Sequence, residues 1–274
     1  MDIPTDTKQT VEANEWVLHL LNGLLACVFG LVLAETWWQF RVPGKPGWPE
    51  AVLLLLALSA TVAALARHLP LQNVLAAAFL IALGGSAATW LDIETGIPFG
   101  IFTASGDVGP KIAGTLPWLF PLLWATAILN SRGVGRLMLR PWRKTHTYGF
   151  RLIGITAVLT MLFEACFEPY ATRVRHYWFW EPTKLPLTWQ GVPLANFFGW
   201  VVVTLLILAF VTPLLINKQP VSKHAADFHP LAVWLGALLL FGIGAARAGQ
   251  WTAVVLDAIV GALTAFFSAG GARW

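Results

Sequence analysis

Charge is what this chain has least of. Only 12% of its 274 residues are Asp, Glu, Lys or Arg, against 57% hydrophobic, whereas a soluble domain carries about 25% charged residues. That scarcity excludes an ordinary soluble fold. Apolar runs of about 17–25 residues, enough to cross a bilayer, recur along the whole length and leave no room for a separate soluble domain. Cysteine is almost missing as well: Cys27 and Cys166 lie inside apolar runs with no CxxC or Cys/His neighbour, which speaks against metal or redox chemistry and for small buried packing residues. The six histidines are scattered, so the converging imidazoles of a membrane di-iron desaturase or hydroxylase are absent. His224 and His229, beside Lys223 and Asp227, read as a solvated loop pair. Asp92, Asp107, Asp227 and Asp257 offer no pair one helical turn apart to hold Mg²⁺ on a diphosphate. No GxGxxG unit, Gly-rich lysine loop, serine elbow or HExxH is present. An enzyme built on this chain is expected to work without cofactor or metal.

The apolar runs themselves predict an all-α, polytopic transmembrane helix bundle. Eight spans can be drawn, over about 16–38, 48–66, 71–91, 112–129, 150–167, 192–216, 230–246 and 251–269. The second, fifth and seventh are short, so a seven-span version demotes one of these. Residues 1–15 form an acidic N-terminal tail, unlike the basic leader of a signal peptide, and 16–274 a single membrane domain. Pro117 and Pro121 are expected to kink or break the fourth span. Eleven Lys and Arg fall on the side of the N-terminus, six of them between Arg132 and Arg151, and seven on the other side. The positive-inside rule then places both termini in the cytoplasm, with a cell inner membrane as the expected location. The net charge of +4 follows membrane topology; it forms no basic stripe with interleaved rings, so nucleic acid is not an expected partner.

Loops 92–111 and 168–191 emerge on the same face in this scheme, and they are the densest in Gly, Pro, aromatic and charged residues. Near them lie carboxyl groups at membrane depth: Glu35, Glu164, Glu168 and Asp257. Such groups are costly in a bilayer and mark functional positions by default. Glu164 and Glu168, four apart, share one helix face, and two close carboxyls in a poorly solvated place do not both ionise easily. A carboxyl kept neutral is a general acid. The structural alternatives are a helix–helix hydrogen bond for Glu164, and for Glu168 surface solvation or pairing with Arg173 or Arg175. For Asp257 a structural bond to another helix is expected, and Glu35, beside Trp37 and Trp38, fits the interface. Cys166 and Cys27 add nothing to this set. The second loop supplies Tyr170, Tyr177, Trp178, Phe179, Trp180 and Trp189, followed by Asn196 and Trp200. Ring faces stabilise cations by about 0.5–2 kcal/mol each. An aromatic belt accounts for isolated rings such as Trp16, Trp48 and Trp251, but less well for so dense a loop next to two acids. An acid plus rings that shelter positive charge suits protonation of an alkene to a tertiary carbocation, then capture by water or loss of a proton.

Four motifs carry a family resemblance: "TGIPFG" at 95–100, "GP" at 109–110, "FEACFEPYATRVRHYWFW" at 163–180 and "GVPLANFFGW" at 191–200. Over roughly residues 85–215 the chain resembles the membrane-integral carotenoid biosynthesis proteins, which include carotenoid 1,2-hydratases of the bisanhydrobacterioruberin hydratase type. The family usually has aspartate before the proline of the fifth-span motif, where this chain has Glu168-Pro169, with Glu164 one turn earlier. It usually has tyrosines after "PFG", where this chain has Phe102 and Ala104. The resemblance implies a hydro-lyase that hydrates the C1,C2 double bond of an acyclic carotenoid end group. On that reading Glu168 or Glu164 donates the proton and Asn196 orients water. Phe99, Trp178, Trp180, Trp200 and Tyr177 bind the substrate, while Gly96, Pro98 and Gly100 shape the first loop. Expected partners are the polyene substrate, membrane lipids and other carotenoid enzymes. The rivals are an end-group cyclase or isomerase and a non-catalytic carotenoid or lipid carrier.

Overall fold

The computed structural model describes residues 5–44, 47–182, 187–216 and 226–274. Each expected apolar run contains a helix: α1 Thr5–Trp38, α2 Trp48–Ala66, α3 Leu71–Thr95, α4 Leu119–Met138, α5 Tyr148–Pro169, α6 Leu194–Val211, α7 His229–Arg247 and α8 Trp251–Ala272. Seven of them are long and apolar enough to cross a membrane, and the chain is an integral membrane protein. Large rings such as Phe79, Phe210 and Phe266 stay exposed on the outside of the bundle, as lipid contact allows. Trp16 and Trp251, at opposite ends of the bundle, are exposed too, where ring systems sit at headgroup level.

The helix that falls short is not one of the three short runs but α4. Its second half carries Asn130, Ser131, Arg132 and Arg136, and it survives because it is the central element, packed against α2, α3, α5, α7 and α8. Asn130, Ser131 and Arg132 are all buried, and the Arg132 guanidinium donates to the Leu215 carbonyl at 2.9 Å. Of the expected kink or break at the prolines, the structure shows a break. Residues 111–117 are not helical but form a short hairpin, β2 (Lys111–Ile112) with β3 (Leu116–Pro117). Pro117 therefore precedes α4, and Pro121 falls in its first turn, where a missing N–H costs no helical bond.

At the other end of α5, Pro169 deprives the Ala165 carbonyl of its helical donor. The Trp189 indole N–H fills that vacancy at 3.1 Å, and the chain widens into a π-helical turn over Tyr170–Val174. The two motif-bearing loops then meet as an antiparallel ribbon, β1 (Phe102–Ala104) on β4 (Trp178–Trp180), with Phe102 opposite Trp180 and Ala104 opposite Trp178. Serial bonds from Ser105 N–H to Tyr177 O (2.8 Å) and Glu181 N–H to Ile101 O (2.9 Å) extend the pairing. A third ribbon, β5 (Thr188–Trp189) with β6 (Val192–Pro193), leads into α6.

One expectation about a buried group fails. Cys27 is exposed and only Cys166 is buried, because in a lipid-facing helix an apolar neighbourhood does not mean the interior. Glu35, which the sequence leaves open between membrane depth and the interface, is buried within the protein at 7% exposure. Of the histidine pair, His224 lies outside the described residues.

Candidate active site

Glu164 and Glu168 lie on one face of α5 and are both buried, at 3% and 1% exposure. They touch each other, and one group from α6 joins them: the Asn196 amide donates to Glu164 Oε1 at 3.2 Å and to Glu168 Oε1 at 3.3 Å. Glu168 is also held by the loop. Trp178 Nε1–H and Trp180 Nε1–H both donate to its Oε2, at 3.2 and 3.0 Å. The two indoles come from alternate residues of β4, which places both on one side of the ribbon. Glu164 faces the Trp200 indole, while its Oε2 meets no donor at hydrogen-bonding geometry.

The alternative of a solvated or Arg-paired Glu168 is thereby overturned. Arg175 turns the other way, to Glu35 at 3.4 Å and to Glu50, and donates from Nε to the Tyr170 hydroxyl at 2.9 Å. Arg173 reaches the Gln190 carbonyl at 3.4 Å. Burial alone lowers the affinity of the Arg175 guanidinium for its proton, but Tyr170 and Glu50 beside it outweigh that and raise it above the ordinary value.

Around the two acids closes a small chamber of about 20 Å³, lined by Thr89, Phe99, Phe102, Phe120, Trp124 and Trp200 together with the acids, Asn196, Trp178 and Trp180. A space of that size holds about one water molecule. Trp124 and Trp200 stack with centroids 3.6 Å apart, and Trp124 Nε1–H is fixed on the Thr89 hydroxyl at 3.0 Å.

Phe99 owes its place to a residue the sequence reading passed over. Asp92, 1% exposed, accepts the backbone N–H of Phe99 at 2.7 Å and of Gly100 at 3.1 Å. The tight turn between them contains Gly96 at φ 72°, Pro98 after a cis peptide bond, and Gly100 at φ 117°. Gly199 on α6 lets the turn approach, since a Cβ there would lie 2.6 Å from the Phe99 ring. The missed signal was an intramembrane acid one helical turn before "TGIPFG".

A model of carotenoid biosynthesis proteins matches residues 50–264, well over half of the chain. The chain belongs to the carotenoid biosynthesis protein family. It is 30% identical over 108 residues to the bisanhydrobacterioruberin hydratase of Haloarcula japonica, a match covering 39% of this chain and 34% of that protein. The chain thus aligns with about a third of that relative's length. No solved structure matches.

In this carotenoid biosynthesis protein most residues expected at the site converge on the chamber: Glu164, Glu168, Asn196, Phe99, Trp178, Trp180 and Trp200. Tyr177 does not. It lines a second and far larger cavity of about 630 Å³, bounded by α1, α2, α4, α5 and α7. Its phenol lies against Glu50, and burial together with the charge of Glu50 pushes its pKa well above the usual value. Asp257, on α8, stands apart from both spaces, 4% exposed and turned to the Cys166 thiol of α5. Among the described residues no three His, Cys, Asp or Glu side chains converge as a metal site would require.

Proposed function

We propose that this carotenoid biosynthesis protein is a hydratase that adds water across the terminal C1,C2 double bond of an acyclic carotenoid end group. The observation that carries the reading is the pair of buried carboxyls, bridged by Asn196, beside a chamber with room for about one water. In the forward step one carboxyl, in its acid form, gives its proton to C2, and the positive charge develops at C1 as a tertiary carbocation. Ring faces from Phe99, Trp178 and Trp180 stabilise that charge. A water held by Asn196 and the partner carboxylate attacks C1, and its surplus proton passes to that carboxylate. Because the acids touch, the proton returns between them and the pair is restored. Alkene and water become a tertiary alcohol, with no electron transfer. The relative of the same family is named as a hydratase, which supports water capture over cyclisation, as does space for a water.

Both indole N–H groups on Glu168 come from the motif-bearing loop, so the rings act by their edges as well as their faces. The basic segment around Arg132–Arg151 supports an orientation with both termini in the cytoplasm, in the cell inner membrane, where other carotenoid enzymes would hand over the polyene. The test is to incubate membranes containing the protein with lycopene in ¹⁸O-labelled water. A product heavier by one labelled water, lost in Glu164→Gln/Glu168→Gln, is the expected result. An isomer of unchanged mass means cyclase or isomerase chemistry instead, and binding without conversion means a carrier.

A further inference from the structure

The small chamber cannot hold a carotenoid, and the large cavity holds no part of the acid pair. Two residues, Phe120 and Trp178, line both spaces, and their rings stack with centroids 5.4 Å apart. They are a wall one layer thick.

Resting on the hydratase reading, we propose that the large cavity seats the body of a linear polyene and that Phe120, against Trp178, is the movable partition through which only the reacting end group passes.

The cavity has the volume and the run along one helix that a stretch of such a molecule needs. It follows α4 from Leu119 to Asn130, twelve residues with a rise of about 16 Å at 1.5 Å per step, more than half of the hydrocarbon thickness of about 30 Å. The part nearest the wall is aromatic: Phe163, Phe167, Tyr170 and Phe241 touch one another and Trp234 with centroids 5.2–6.5 Å apart. Flat rings of this kind stack on a conjugated chain and offer nothing comparable to a saturated acyl chain, the competing occupant in a bilayer.

The two halves of the wall differ in freedom. Trp178 is pinned at both ends, by β4 pairing opposite Ala104 and by its N–H on Glu168. Phe120 is held by packing alone and sits in the first turn of α4, where backbone N–H groups have no partner within the helix. Phe120 is therefore the side that yields.

Two variants separate seat from partition. Phe120→Trp thickens the wall; it should lower turnover at least tenfold for lycopene and for myrcene, a ten-carbon triene with the same end group, while lycopene binding changes less than about twofold. Leu123→Trp fills the seat; it should weaken lycopene binding at least tenfold, with an effect on myrcene turnover at least fivefold smaller. Binding is read from quenching of tryptophan emission by the polyene, in reconstituted vesicles, and repeated in the Glu164→Gln/Glu168→Gln background. Unchanged lycopene binding in Leu123→Trp would overturn the seat and leave the cavity to acyl chains. A loss of binding in Phe120→Trp as large as its loss of turnover would overturn the partition. If the wild type turns over neither substrate, the hydratase reading fails, while the binding arm still decides the seat.

Discussion

Two pairs of glutamates, all buried but the half-buried Glu50, lie in this bundle, and their surroundings differ in kind. Glu35 on α1 and Glu50 on α2 share the Arg175 guanidinium, which also holds Tyr170 and lies 3.4 Å from the Thr36 hydroxyl. Glu164 and Glu168 have only neutral donors, the Asn196 amide and the indole N–H groups, and among the described residues no cation pairs with them. An ion pair of the first sort ties three segments together through one guanidinium. A carboxyl pair of the second sort, with neutral donors and each other for company, can pass one proton back and forth. On the proposed function the same residue type serves as a rivet in one place and as a reagent in the other, and what separates the two is whether a fixed positive charge is within reach.

The largest effect expected from breaking this contrast is on the reagent side. Glu168→Gln keeps the shape but removes the acid, and should cost about 10²–10⁴ in turnover, with the folded protein recovered in normal yield from detergent; near-normal turnover would move the acid role elsewhere. On the rivet side, Arg175→Ala leaves two glutamates uncompensated and should lower stability by about 3–5 kcal/mol. Thermal unfolding in detergent checks this, and wild-type stability would mean that the pair is a solvated surface contact. Intermediate in size is Trp180→Phe, which keeps the ring and deletes one N–H to Glu168. A hydrogen bond to a charged group contributes about 1.5–3 kcal/mol, so the rate should fall about tenfold or more with little change in lycopene binding. The smallest effect belongs to Trp189→Phe, which reopens the Ala165 carbonyl: about 1 kcal/mol of stability, read in the same unfolding assay, with turnover unaltered.

The spans were legible because a bilayer demands long apolar runs, and the ends of α2, α7 and α8 fall within a few residues of expectation. The chamber was partly legible: the four-residue spacing of Glu164 and Glu168 places both on one face whatever surrounds them, and motif order pointed to Asn196. Three things were out of reach. The Arg175–Glu35 pair joins residues 140 apart in sequence, and nothing local distinguishes it from the pairing of Arg175 with Glu168 that proximity suggested. The run 112–117 is apolar like a helix but ends in proline, and its hairpin depends on pairing between its own ends. The large cavity is a gap between five helices, so no single residue announces it, and Tyr177 was assigned to the acid site when its side chain goes to the other space.

The position of α4 carries a consequence for how the protein is made. A helix with two arginines and an asparagine in its second half gains little by entering lipid alone, yet it supplies Phe120 and Trp124 to the chamber and lines the large cavity. Its neighbours α5, α7 and α8 are synthesised after it. The polar half of the segment is therefore enclosed only when α8 is in place, whereas the chamber, whose lining residues all lie between Thr89 and Trp200, is complete once α6 has been made. A chain released before α8 would then be inserted with both spaces lined but with the C-terminal half of α4 uncovered.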